Sequence, residues 1–285
     1  MAATTRRFAC TQCGMCCNRS PEVELSESAA LADVFVFRLL FRLYTLPTSP
    51  ERGTVSELFY QKKRLLAAHA ARKYPKKVMR GGKRVERIHY LMLSALALDT
   101  RRGACAALED GRCGIYERRP LGCRTVPFHY ARADALAEHD FDTFVSTAGY
   151  RCDVGETAAV VLERGQIVDK GSVEARAQAE TIAESDSAWK EAIVRRMKQG
   201  VVAGSPLPTL NDVEEQAGFG ALTVSMRVAW EIAADAGILS VEQSQSLVRT
   251  QLETIERELA NAGCAGADAE TLTEMAAEYR LVLNG

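Results

Sequence analysis

The sequence predicts a mainly α-helical protein with a small β-hairpin element, in which a cysteine-cluster domain over residues 1–173 is followed by a helical C-terminal region over residues 174–285. Three observations carry that expectation. Cysteines 10, 13, 16, 17, 105, 113, 123 and 152 all precede residue 153, and only Cys264 lies beyond. Past residue 174 the chain is rich in Ala, Glu, Gln and Leu with apolar residues at helical spacing. Short apolar runs flank Asp110-Gly111, a strong local signal for a hairpin.

A chain of 285 residues that is 47% hydrophobic can bury a sizeable core without being stapled. The net charge of −1 gives no general pull toward nucleic acid or membrane. The N-terminus, MAATTRRFACTQCGMCC, lacks the apolar stretch of a secretory signal. The most apolar stretch, Val34 to Leu46, is broken by Arg38 and Arg42 and is too short to cross a bilayer. A cytoplasmic location is therefore expected. Thiols stay reduced there, so nine cysteines, an odd number, point to metal or redox chemistry rather than to disulfides.

Taken in chain order, Ser26 to about Leu46 reads as one helix, with Ser26 as its cap and Pro47 just beyond its end. A second helix is expected from about Val55 to Tyr74, stopped by Pro75. Ile88 to Leu98 is almost wholly apolar, and periodicity alone leaves helix and strand open. The hairpin at Asp110-Gly111 follows, with a weaker one around Arg164-Gly165. The C-terminal region reads as four or five helices. One starts at Ser240, which forms a capping-box pattern with Gln243, and glycine stops stand at Gly237 and Gly263. The apolar helix faces call for a cover, either the cysteine domain or, as a homodimer, a second copy of the chain; no ligand is expected from Cys264.

Cys10, Cys13, Cys16 and Cys17 form C-x2-C-x2-C-C. Two intervening residues let a tight loop turn both sulfurs toward one centre, as in zinc knuckles and iron–sulfur loops, and three cysteines in succession at this spacing favour the second. Neighbouring side chains diverge from the backbone, so one of Cys16 and Cys17 is expected to serve a second site or a structural role. Cys105, Cys113, Cys123 and Cys152 have no knuckle spacing and must be gathered by the fold. A two-residue loop at Asp110-Gly111 pairs Glu109 with Arg112 and puts Cys105 and Cys113 on opposite faces, whereas a three-residue loop puts them on one face; the glycine permits either. Pro120 suits the first position of a short helix, and Cys123 at the end of its first turn is expected to be favoured as a thiolate. Arg119 and Arg124 flank it, either offsetting thiolate charge or pairing with surface carboxylates. His129 is a candidate alternative ligand or a donor that hydrogen-bonds to a ligand, or else a packed or surface histidine.

These residues resemble the YkgJ-like cysteine-cluster family, which carries a zinc- or iron-chelating domain with the CxxCxxCC signature. The resemblance spans about residues 8 to 153. It rests on FACTQCGMCC and on CGIYERRPLGCRTVPF, with Cys113, Tyr116, Arg119, Pro120, Cys123, Arg124 and Pro127. It implies metal chelation, and the eight N-terminal cysteines are the expected ligands. A related pattern in flagellin lysine methylases implies that such a domain can hold an iron–sulfur cluster and take part in methyl transfer. The long insertion before Cys105 and the helical C-terminal region depart from the usual small family member.

The expected function is thus a metal-binding cysteine-cluster protein that holds an iron–sulfur cluster of the 4Fe-4S type, or zinc. One alternative is a cluster-dependent protein-modifying enzyme, such as a lysine methylase-like methyltransferase, although no cofactor pocket can be read. Another is a zinc-stabilised nucleic-acid binder, on the strength of eleven Lys or Arg against the single acid Glu86 between Lys62 and Arg87. That stretch is expected to be a solvated helix face and a basic loop, without interleaved aromatics, so nucleic acid is a disfavoured partner. A protein partner remains open.

Overall fold

The protein is described by a computed structural model over residues 5–48, 56–101, 103–129, 134–199, 201–202, 205–216, 221–261 and 267–284, with side chains left aside at 56–61, 201–202, 205–206 and 267–268. Over these described residues it is mixed, 46% helical and 24% strand, with several antiparallel sheets, which corrects the expectation of a mainly helical chain with one small hairpin.

The largest error of the sequence reading lies at residues 26–46. A short helix, Leu25–Ala30, stops early, and Phe37–Pro47 is a strand. Arg38 and Arg42 look helical because they are four apart, but a spacing of four returns to the same face in a strand as well. In the strand, Arg38 donates to the Thr223 carbonyl (3.0 Å) and Arg42 pairs with Glu22 (2.9 Å). The cap is also elsewhere: Glu27 accepts from the backbone N–H of Glu24 (3.2 Å), so the box is built from two glutamates and not from Ser26.

Phe37–Pro47 pairs on one side with Leu222–Ser225 and on the other with the long strand Lys83–Ala97. The outer edge of Lys83–Ala97 is shared, because Arg72–Arg80 pairs with its first part and Glu22–Val23 with its last. The apolar run Ile88 to Leu98 is therefore strand up to Ala97. Tyr90 and Leu91 are adjacent and both fully buried, so this segment is covered on both faces and shows no alternation. The second helix is Ser56–His69, and it ends before Pro75 is reached. Pro75 lies in the strand Arg72–Arg80, which among the described residues pairs on one side only, where a missing N–H is tolerated.

The main core draws on both halves of the chain: Phe35, Phe37, Phe41, Leu91 and Leu93 pack with Trp230, Ile255 and Tyr279. Gln251, fully buried on the helix Val241–Ala260, accepts from the Phe37 N–H (2.9 Å) and donates to the carbonyls of Phe35 (2.8 Å) and Ala32 (3.3 Å). It thereby satisfies the backbone where the short helix gives way to the strand. The capping box of Ser240 and Gln243 forms as expected. Besides helices, the C-terminal region supplies strands, including Leu222–Ser225 at the edge of the sheet. Gly263 and Cys264 lie outside the described residues.

A buried ionic group stands at the junction of these elements. Lys190, on the helix Ser187–Met197, donates to Glu24 (2.7 Å), and Glu24 also faces His69 Nδ1 (3.4 Å). Burial works against the Glu24 carboxylate, but His69 and Lys190 outweigh it and hold its pKa below the ordinary value. Among the described residues, no helix is long and apolar enough to cross a membrane.

Candidate metal centre

The N-terminal cysteine loop is pinned at both ends by backbone hydrogen bonds. Thr5–Arg7 pairs with Val160–Glu163, and Ala9 then bridges Asp153 through two hydrogen bonds, Ala9 N–H to Asp153 O (2.8 Å) and Asp153 N–H to Ala9 O (3.0 Å). That antiparallel bridge sets Cys10 opposite Cys152, although they are far apart in sequence. Thr11 donates its hydroxyl to the Arg151 carbonyl (2.9 Å). Cys10 and Cys152 rest against a small second core of Phe8, Phe128, Phe141 and Leu162.

The other end of the loop closes a turn, with Cys17 N–H on the Gly14 carbonyl (2.9 Å), and the Cys105 N–H donates to the Cys17 carbonyl (2.8 Å). Cys17 and Cys105 pack on the main core instead. Gln12 has φ +56, a left-handed conformation uncommon for a residue with a side chain and typical of functional loops.

The hairpin at Asp110-Gly111 forms with the two-residue loop: Glu109 pairs with Arg112 and Leu108 with Cys113, while Asp110 and Gly111 have φ of +49 and +76. The face argument for Cys105 lapses, however, because the ladder is only two pairs long and Cys105 precedes it. There the Leu108 N–H donates back to the Cys105 carbonyl (3.0 Å), which turns the chain. The charge of Cys113 helps to raise Cys105 in spite of the two-residue register. The weaker hairpin at Arg164-Gly165 also forms, joining Val160–Glu163 to Gln166–Ile167.

Cys123 sits in a single helical turn, Leu121–Arg124, preceded by Pro120 one position earlier than expected. Glu27 fixes this turn by accepting from the Leu121 N–H (2.9 Å). The expectation of a favoured thiolate fails here. Burial first, then the nearness of Cys105, Cys16 and Cys113, pushes the Cys123 thiol up to about 12, and one helical turn is too short to counter that. Arg119 lies 3.8 Å over the Tyr116 ring and favours the thiolate of Cys16. Arg124 instead points to Gln178 (3.1 Å) in an exposed position. His129 is exposed, with its carbonyl accepting from Arg176 (3.3 Å).

The electrostatics link all eight cysteines. Cys17 donates its S–H to Cys16, which lowers Cys16 to about 6 with help from Arg119 and drives Cys17 far up, so the neighbouring pair keeps one proton. Burial, then Cys16, Cys13 and Cys10, raises Cys152 to about 11. Burial, opposed in part by the Ala107 backbone N–H, and then the nearness of Cys113 raise Cys105. The backbone N–H of Met15 lowers Cys13. Cys105, Cys123 and Cys152 thus resist ionisation first through burial and then through neighbouring thiols, and a cation beside them would favour their thiolates. Among the described residues, no group of three or more His, Cys, Asp or Glu side chains is arranged to hold a metal ion as it stands.

Sequence reasoning missed two contributors. Gly14 stands inside the motif it helps to shape: its φ is +70, and a Cβ there would lie 2.5 Å from the Gly111 carbonyl oxygen. Glu27 carries only the spacing of a capping box as a signal.

No curated protein and no solved structure matches the chain. A family model does, over residues 9–152, about half of the chain, and its description reads "CxxCxxCC: Putative zinc- or iron-chelating domain". The matched stretch runs from the bridge at Ala9 to Cys152 and so encloses every cysteine gathered above; the chain belongs to this CxxCxxCC family of zinc- or iron-chelating domains.

Proposed function

We propose that the chain is an iron–sulfur protein whose eight thiols serve two sets, Cys10, Cys13, Cys16 and Cys152 in one and Cys17, Cys105, Cys113 and Cys123 in the other. The observation that carries this reading is the packing of four of the thiols: Cys10 and Cys152 lie against the small core, and Cys17 and Cys105 against the main one. The first set then has three cysteines in close succession and a fourth from a remote segment, a ligand pattern of iron–sulfur proteins. The second set has no knuckle pair and depends on the hairpin and the Leu121–Arg124 turn to bring its thiols together. Bound metal would supply the positive charge that the thiols lack. The chain supplies Arg119 beside Cys16, a rigid Ala9–Asp153 bridge and a Glu27 carboxylate that anchors the Cys123 turn.

Anaerobic purification followed by absorbance, iron, acid-labile sulfide and zinc analysis tests this reading. A brown protein with iron and sulfide in equal amounts supports it. A colourless protein carrying zinc refutes the iron–sulfur assignment and leaves the chelating family intact.

A further inference from the structure

We propose that the hairpin formed by Arg72–Arg80 and the start of Lys83–Ala97 is a DNA-binding ribbon that enters the major groove of duplex DNA. Lys62, Lys63 and Arg64 lie on the helix Ser56–His69, as the sequence suggested, but the rest of the basic stretch is not a helix face and loop. Its residues from Arg72 onward are two paired strands, in register from Arg72 opposite Leu91 to Arg80 opposite Lys83, joined at Gly81-Gly82. The next strand of the sheet, Phe37–Pro47, pairs with Lys83–Ala97 only from Arg87 onward. Among the described residues, the outer part beyond Lys76 and Arg87 is therefore a two-stranded ribbon, and at about 3.3 Å per residue it extends roughly 13 Å past the sheet. Its side chains are mostly exposed, with Met79 at 65%.

The charge distribution identifies the partner. Arg72 to Arg87 holds eight Lys or Arg and one acid, Glu86. Removing these from 36 cationic and 37 acidic residues leaves 28 against 36, so the rest of the chain is acidic and the cationic surplus is concentrated in this ribbon. A polyanion would approach the ribbon and be repelled by the remainder.

Strand alternation then sets the shape of the charge. On one face stand Arg72, Arg80 and Lys83, with Lys76 ion-paired to Glu214 and Arg87 buried at the base, and on the other stand Lys73, Lys77 and Arg84. A ribbon that is cationic on both faces suits a groove with a phosphate wall on each side better than a flat anionic membrane, which one face would satisfy. The major groove of B-DNA is about 12 Å wide and admits a two-stranded ribbon, whereas the major groove of duplex RNA is too narrow. Single strands are disfavoured because the ribbon offers them no free aromatic platform: Tyr74 is held by Glu214 (2.7 Å) and Tyr90 is buried. This inference is independent of which metal the cysteines hold.

The test is fluorescence anisotropy of a labelled, mixed-sequence DNA duplex two helical turns long, titrated with the full-length protein purified anaerobically. Binding in the micromolar range at low salt is expected, weakening about a hundredfold between 50 and 200 mM salt for about four neutralised phosphates. The double variant K77E/R84E should bind at least tenfold more weakly with unchanged metal content. K170E, whose side chain is 88% exposed on another element, should bind within twofold of wild type. If K77E/R84E fails to fold by circular dichroism, K83Q/R84Q takes its place with an expected loss of threefold or more. Absence of duplex binding, equal weakening by K170E, or tighter binding to single strands or to phosphatidylserine vesicles than to the duplex would each overturn the proposal.

Discussion

Gly14 lies so close to Gly111 that a Cβ on Gly14 would stand 2.5 Å from the Gly111 carbonyl oxygen. This contact joins the N-terminal cysteine loop to the turn of the hairpin that carries Cys113. Gly14→Ala must therefore distort the φ of +70 and also push the hairpin away. Gly82→Ala is the control: its φ is +75, but nothing lies within 4 Å of the added carbon. Gly82→Ala should cost about 1 kcal/mol of strain and leave metal content unchanged. Gly14→Ala should cost about 2–4 kcal/mol, lower the melting temperature by several degrees and reduce bound metal. Thermal melts with metal analysis of both variants check this, and equal behaviour would show that the contact does not matter.

The charge pattern among the thiols orders their reactivity in the metal-free protein. Cys16 is lowered to about 6 by the Cys17 S–H and Arg119, whereas burial and neighbouring thiols raise Cys152 to about 11 and Cys123 to about 12. At pH 7 Cys16 is therefore mostly thiolate and the other two are protonated. Brief iodoacetamide treatment after chelation, read by peptide mass spectrometry, should label Cys16 before Cys123 and Cys152. Lowering the pH to about 5 should protect Cys16 as its thiolate is protonated.

Lys190 and Glu24 form a buried pair, and breaking it exposes its sign. Lys190→Met leaves the Glu24 carboxylate without its closest cation and should cost about 3–5 kcal/mol near neutral pH. In wild type the Glu24 pKa is depressed, so its contribution is complete above the ordinary carboxylate range and is lost as pH falls through the depressed value. In the variant, burial of Glu24 dominates and raises its pKa, so stability should recover as pH drops from about 6 to 4. Adding Glu24→Gln should restore much of the loss. Urea denaturation of wild type, Lys190→Met, Glu24→Gln and the double variant closes the cycle, and simple additivity would contradict the pairing.

Gln251 offers a second check on the core. Its amide serves the backbone of Phe37, Phe35 and Ala32, all buried or in contact with the buried core. Gln251→Ala should strand these groups and cost about 3 kcal/mol or more, measurable as a fall in the denaturation midpoint. A neutral result would show that water or relaxation replaces the amide.

Legibility in the sequence followed the range of the interaction. Both hairpins were readable because Asp110, Gly111, Arg164 and Gly165 take positive φ, a demand that local residue choice records. Ser240 and Gln243 were readable for the same reason, as a cap is a contact across three residues. Phe37–Pro47 was not, because Leu and Arg at a spacing of four fit either period and the decision came from distant pairing with Lys83–Ala97. Pro75 misled in the same way, since its tolerance depends on being at an edge that only the fold defines. At the site, the cysteines announced themselves by spacing, but Cys10 opposite Cys152, the burial of Cys123 and the anchoring of its turn by Glu27 are products of tertiary packing.

The central claim, that the thiols gathered around the Ala9–Asp153 bridge and the Asp110-Gly111 hairpin form a metal centre, is tested most directly by elemental analysis of anaerobically purified wild type, Cys13→Ser, Cys123→Ser and Cys264→Ser. Metal binding to folded thiolates is also folding energy, so metal content and melting temperature should fall together in Cys13→Ser and Cys123→Ser, with wild-type values in Cys264→Ser. Wild-type protein without bound metal, or equal losses in all three variants, would contradict it.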